Sequence, residues 1–182
     1  AMSCSGKGFR RVQCMVKALY REGIFEKIMA DIHPSYHCDT FSRTTVRDVP
    51  RSSADFEILH VGYDMGEYGH YCGAVKSGDT VHFFDSMGRS EFTRRFVQYL
   101  RARYGKSVKH IVQDYADIQF QEPDCPYRLR RVGPSKHQYC YIEAFVYLSH
   151  KVLGTSMGPL DRKARLAFIR KRVSEYINKY VR

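Results

Sequence analysis

The sequence predicts an α+β fold, and three stretches carry that expectation. Gly69-His70-Tyr71-Cys72-Gly73-Ala74-Val75, a Gly78-Asp79 turn and Val81-His82-Phe83-Phe84-Asp85-Ser86 read as a β-hairpin. Alternating apolar residues flank a Gly-Asp pair, which is turn chemistry. Phe92, Phe96, Val97, Leu100 and Tyr104 recur at helical spacing between a capping Ser90 and a closing Gly105. Cys140 to Leu148 is apolar on nearly every side, the pattern of a helix sunk in a core.

The elements follow in order along one domain, 1–182. Residues 9–33 form an N-terminal helical segment: Val12, Met15, Val16 and Leu19 make a stripe, Gly23 interrupts it, and a second short helix runs from Ile24 to Ile32. Residues 36–53, rich in Ser, Thr and Arg, read as a polar arm without regular structure. The core, 54–153, starts with a strand at Phe56 to Val61 and holds the hairpin, the helix at 90–104 and a strand from Lys109 to Val112 that extends towards Ile118. The segment from Glu122 to His137 is irregular, with three prolines, and leads into the apolar helix. A basic C-terminal helix, 160–182, sets Leu166, Ile169, Val173 and Ile177 on one face and arginines and lysines on most of the rest.

A chain of 182 residues with 43% hydrophobic content has room for a proper core, and no apolar run suits a membrane span. Six cysteines stand without a CxxC pair or a secretion signal, which predicts mostly free thiols in a reducing, intracellular setting. The net charge of +11 points to an acidic partner, nucleic acid first. The C-terminal helix, with Arg128, Arg130, Arg131 and Lys136, would neutralise phosphates in a salt-sensitive way largely independent of sequence. The plainer reading of that helix is a solvated face. His33, His37 and Cys38 suggest zinc, with Cys72 or Cys125 as a distant further ligand. Structural zinc sites take four ligands and often show paired short spacings, and only one such cluster is present.

The hairpin brings an imidazole and a carboxylate to the rim of a sheet. A carboxylate beside His70 fixes its tautomer and stabilises its charged form, which suits a catalytic base. His82 sits on the opposite strand face and is not expected to join it. Cys140 heads the buried helix, where unpaired amides and the positive end of the dipole favour a thiolate. The parts of a thiol–imidazole nucleophile thus occur in the order His70, Asp85, Cys140. Cys125 is a second candidate thiol, although the residues behind it, Pro126 to Pro134, make a poor buried helix.

His70-Tyr71, the turn, and Phe83-Phe84-Asp85-Ser86 with Gly88 resemble the His-aromatic and FFDS-x-G segments of the adenovirus protease and SUMO protease clan of cysteine peptidases. The resemblance spans about Phe56 to Val152. It implies a papain-like, adenain-like fold: a small mixed sheet, a central buried helix carrying the nucleophile, and flanking helices. Carried over by position, His70 resembles the general base, Asp85 its orienting acid and Cys140 the nucleophile. Gln121, in Gln121-Glu122-Pro123, resembles the residue that helps hold the oxyanion, with Gln119 as its competitor. Two departures stand out. A longer segment than the clan's separates Gln121 from Cys140, and Tyr141 follows the cysteine where glycine is frequent. Cys125 is better spaced from Gln119, so both thiols stay open at this point. Tyr71 replaces a frequent tryptophan and is expected to pack beside the imidazole.

The resemblance implies a cysteine endopeptidase that needs no metal or organic cofactor, with stimulation by DNA or a peptide as an expectation. Compactness and basicity favour a viral maturation protease cleaving virion precursor proteins in the host nucleus or virion. The alternatives are a protease that removes SUMO or another ubiquitin-like modifier, and a basic nucleic-acid-binding module on a protease-like fold.

Overall fold

Five strands lie side by side in chain order: β1 (Tyr36–Ser42), β2 (Phe56–Asp64), β3 (Gly69–Ser77), β4 (Thr80–Phe84) and β5 (His110–Gln113). A computed structural model describes residues 33–42, 46–64, 69–86, 88–89, 91–114 and 139–153, together with 27, 29–31, 171, 175 and 178. The three central strands are antiparallel neighbours, whereas β1 runs parallel to β2 and β5 parallel to β4. Two α-helices whose bounds fall among the described residues flank the sheet, α1 (Glu91–Tyr104) and α2 (Tyr139–Leu153). The fold is α+β with a mixed sheet, as the sequence predicts.

The hairpin forms as expected. Residues Gly78 and Asp79 make a two-residue loop between β3 and β4, and Gly78 takes φ +59°, the left-handed conformation that tight hairpin turns require. Asp79 O accepts the amide hydrogens of Lys109 (2.7 Å) and His110 (3.2 Å), which ties the turn to the start of β5. Gly105, at φ +57°, ends α1 where the sequence places its stop. Strand β5 closes at Gln113. The expected extension towards Ile118, the irregular 122–137 segment and most of the two terminal helical segments lie outside the described residues.

Strand alternation divides the sheet into two buried faces. On one, Leu59, Val61, Ala74 and Phe83 pack against Phe92, Phe96, Tyr99 and Leu100 of α1 in a single cluster. Each Leu, Val or Phe side chain among them, fully buried, contributes about 1.5–3 kcal/mol. On the other face lies α2, with Phe84 stacked on Tyr147 at 5.2 Å. Gly73 allows the close approach of that helix. A Cβ there would stand 3.0 Å from Leu148 Cγ and 3.2 Å from the Ala144 carbonyl oxygen. The result is three layers, helix on sheet on helix.

Residues 36–42 correct the expectation of an unstructured polar arm: they form edge strand β1, in register from Tyr36 opposite Ile58 to Ser42 opposite Asp64. Parallel pairing across a long connection leaves no local hairpin signal, and edge strands carry polar residues without penalty. The partners that settle the strand are remote. Phe41 stacks on Tyr99 at 4.8 Å, and the Tyr99 hydroxyl donates to Asp39 Oδ2 at 2.7 Å. Pro50 and Ser52 are anchored by α1: Ser52 N–H donates to Arg103 O at 2.9 Å, and Arg103 Nη1 donates to Pro50 O at 3.3 Å.

At the turn end of the hairpin, away from His70 and Asp85, Glu57 accepts from Arg103 Nε and Nη2, both at 3.0 Å, from Tyr104 Oη and from Ser52 Oγ. Burial alone would raise the Glu57 carboxyl, but these donors and the guanidinium charge hold it below its ordinary value.

Candidate active site

The ladder between β3 and β4 ends at Gly73 opposite Phe84, while β3 continues back to Gly69. Strand β3 therefore projects past its neighbour, and the groups of interest gather at that step. Asp85 is the first residue beyond β4. His70 lies near the start of β3, on the face that carries Cys72 and Ala74. Cys140 is the second residue of α2, on the opposite face, and its sulfur reaches the step from the side. The Tyr71 amide, past the end of the β3–β4 ladder, donates to Cys140 Sγ at 3.4 Å.

His70 joins the other two. Its Nε2 meets Asp85 Oδ1 at 2.6 Å, and it is also hydrogen-bonded to Cys140. His70 and Asp85 are each 1% exposed, and Cys140 is 2% exposed. Burial opposes a charged imidazole, yet the Asp85 carboxylate and the sulfurs of Cys72 and Cys140 outweigh it, so His70 titrates well above 6.5. Cys140 sits in the first turn of α2. Sequence reasoning thus named three residues that the fold brings into one hydrogen-bonded chain. Gln121, Gln119 and Cys125 lie outside the described residues.

Asp85 is held by hydrogen bonds from Gly88 and Thr93. Gly88 N–H donates to Asp85 O at 2.9 Å, and Gly88 has φ +68°, a conformation that favours glycine. Gly88 O in turn accepts from Gln113 Nε2 at 2.9 Å. The Thr93 hydroxyl on α1 stands 2.6 Å from Asp85 Oδ2 and 2.5 Å from Gly88 O. It carries one proton for these two acceptors. Phe92, the residue before it, lies against the His70 ring with centroids 4.7 Å apart. Nothing in the sequence singled out Thr93 or Gln113, since each acts through a contact that only the fold creates.

Two further expectations resolve differently. The Tyr71 ring packs over Gly62, where a Cβ would stand 2.8 Å from Tyr71 Cζ, and edge-on to His60 at 5.3 Å. Alternation turns it to the face opposite His70. His82 faces away from His70, as expected, and pairs with Asp114 Oδ1 at 3.1 Å. Asp114 also accepts from Tyr147 (2.8 Å) and Lys151 (3.0 Å), fastening α2 to the sheet edge.

Among the described residues no disulfide links the cysteines: Cys38 is exposed, and Cys72 and Cys140 are buried. The His33-His37-Cys38 cluster does not converge: His33 Nδ1 accepts the Ser35 amide at 3.1 Å, and its ring lies against Phe56. Among the described residues, the donors that do converge in a set of three are those of His70, Cys72 and Asp85. Burial, with the Asp85 charge nearby, pushes the Cys72 thiol up to about 12, so it is protonated and unreactive beside the candidate nucleophile. No described helix is long and apolar enough to cross a membrane.

No family model matches the chain, and no curated protein does. Among solved structures it is similar to the SUMO protease Ulp1 with the catalytic cysteine oxidised to a sulfinic acid, at 10% identity and a TM-score of 0.45, over 93% of this chain and 78% of that one. A likeness of that degree carries no information on activity.

Proposed function

We propose that the chain is a cysteine peptidase in which Cys140 is the nucleophile, His70 the general base and acid, and Asp85 the group that orients and charges the imidazole. The observation that supports this reading is the buried relay Asp85–His70–Cys140 at the step where β3 outruns β4. With Nε2 engaged by Asp85, Nδ1 is the nitrogen for the sulfur. The ring takes the thiol proton, the thiolate adds to a peptide carbonyl, and the oxyanion meets amides at the start of α2. Gln121, read from sequence, would assist there. His70 then protonates the leaving amine, and water releases the acyl-enzyme. No step calls for a metal or organic cofactor.

The finer proposal is a maturation protease acting on virion precursor proteins, resting on compactness and the net charge of +11. DNA bound non-specifically at basic surface would assist it. A modifier-removing protease is the competing substrate class. An aldehyde probe made from SUMO or ubiquitin, set against a precursor-derived peptide, separates the two.

The chemical reading is tested with iodoacetamide at near-neutral pH. Rapid labelling should vanish in Cys140→Ala, slow in His70→Ala and persist in Cys125→Ala. Normal labelling and cleavage in Cys140→Ala, with loss in Cys125→Ala, moves the nucleophile to Cys125. Indifference to both substitutions removes the enzyme reading and leaves a basic binding module.

A further inference from the structure

We propose that His70, Cys72 and Asp85 form a site for a thiophilic divalent cation, zinc being the biological representative, and that filling it silences the thiol–imidazole pair. The inhibitory half rests on the peptidase reading above; the binding half does not. One imidazole nitrogen, one thiol sulfur and one carboxylate oxygen all lie within 4.8 Å of one another. In a tetrahedral zinc site with ordinary bond lengths, nitrogen and oxygen ligands stand about 3.4 Å apart and nitrogen and sulfur about 3.6 Å apart. The His70–Asp85 pair, now 2.6 Å apart, opens by under about 1 Å to admit the ion, and the sulfur starts within 4.8 Å of both donors.

Charge makes the buried location tolerable. Zinc(II) with one thiolate, one carboxylate and a neutral imidazole is electrically neutral, so no net charge is left in a setting where His70, Cys72 and Asp85 are at most 3% exposed. Binding displaces one proton to solvent, that of the Cys72 thiol, and the neutral imidazole keeps its single N–H on the nitrogen that does not take the metal. Outer support is already in place. Thr93 holds the other oxygen of Asp85, as ligating carboxylates require, and Phe92 walls the imidazole. Three protein ligands leave one tetrahedral position unfilled by these residues. The consequence for chemistry is direct: the metal takes the ring that would otherwise accept the Cys140 proton. Cys72 then has a use that its inertness as a thiol conceals.

The full chain is titrated with Co²⁺, following the thiolate-to-cobalt charge-transfer band, and with Zn²⁺ in competition. The expected result is one metal per chain, with the band retained in Cys140→Ala and abolished in Cys72→Ser. Thr93→Val should weaken binding by roughly tenfold through loss of the supporting hydrogen bond. Cys72→Ala serves as a second variant, and circular dichroism verifies that each is folded. In the same samples Zn²⁺ should slow iodoacetamide labelling of Cys140 in the wild type and leave the rate of Cys72→Ser unchanged. A band absent from the wild type, a band that survives in folded Cys72→Ser, or zinc-saturated protein that labels at the metal-free rate each overturns the proposal. Absence of rapid Cys140 labelling in metal-free protein sinks the peptidase reading instead, and the cobalt titration still decides the binding site.

Discussion

Replacing Thr93 by valine removes one hydroxyl from a residue that is 7% exposed and keeps its shape almost unchanged. The hydroxyl has one proton and two acceptors, Asp85 Oδ2 at 2.6 Å and Gly88 O at 2.5 Å. Gly88 O keeps the Gln113 amide at 2.9 Å, so the loss falls mainly on the carboxylate. Hydrogen bonds to charged groups contribute about 1.5–3 kcal/mol, and that is the stability expected to disappear. If the bond also fixes how Asp85 meets His70, up to about 1.4 kcal/mol of it is felt at the sulfur, a slowing of Cys140 labelling of roughly tenfold. A less firmly held carboxylate stabilises the imidazolium less, so the pH profile of labelling should move towards acid. Urea denaturation gives the first quantity, and iodoacetamide kinetics against pH give the other two. Thr93→Ser keeps the donor and should restore rate and profile, losing only about 0.8 kcal/mol of stability for the missing methyl. Equal losses in the serine and valine variants, or lower stability with an unmoved pH profile, would refute the reasoning.

Asp85→Asn bears on the pH dependence of stability. His70 is raised above its ordinary value, so its charged pairing contributes fully below about pH 6.5 and fades as pH rises through the folded value. The urea-midpoint gap between wild type and Asp85→Asn should therefore be widest in mild acid, near pH 5.5–6.5, and narrow in alkali; a gap that widens with pH contradicts it. Gly73→Ala inserts a Cβ 3.0 Å from Leu148 Cγ and 3.2 Å from the Ala144 carbonyl, and should cost about 1–3 kcal/mol by overpacking. Because it pushes on the helix that carries Cys140, iodoacetamide labelling should slow with it. Arg103→Met strands the Glu57 carboxylate, buried at 8% exposure, and should cost about 3–5 kcal/mol, lowering Tm by roughly 10 °C. Since the Glu57 carboxyl is held low, that loss should be full at neutral pH and shrink as pH falls through the carboxylate range.

Local patterning by itself determined the hairpin, the helix at 91–104 and the helix behind Cys140, because each declares itself through turn chemistry or apolar period over adjacent residues. The order His70, Asp85, Cys140 was legible for the same reason: two members share a hairpin and the third heads a conspicuous apolar helix. Edge strand β1 was not legible, since Phe41 and Asp39 find Tyr99 across some 60 residues of chain and polar edge residues mimic a loop. Nor was the position of Tyr71, which follows the space above Gly62 rather than proximity in sequence to His70. Only the tertiary structure decided that β4 stops short of the end of β3, which opens the step where the Cys140 sulfur meets the Tyr71 amide. It also decided that Thr93 arrives from α1 to hold Asp85, and that Cys72 lies inside the same cluster. Such placements depend on where one strand ends relative to its neighbour and on how closely helices approach the sheet. Both are set by packing between distant segments, which no local pattern of residues encodes.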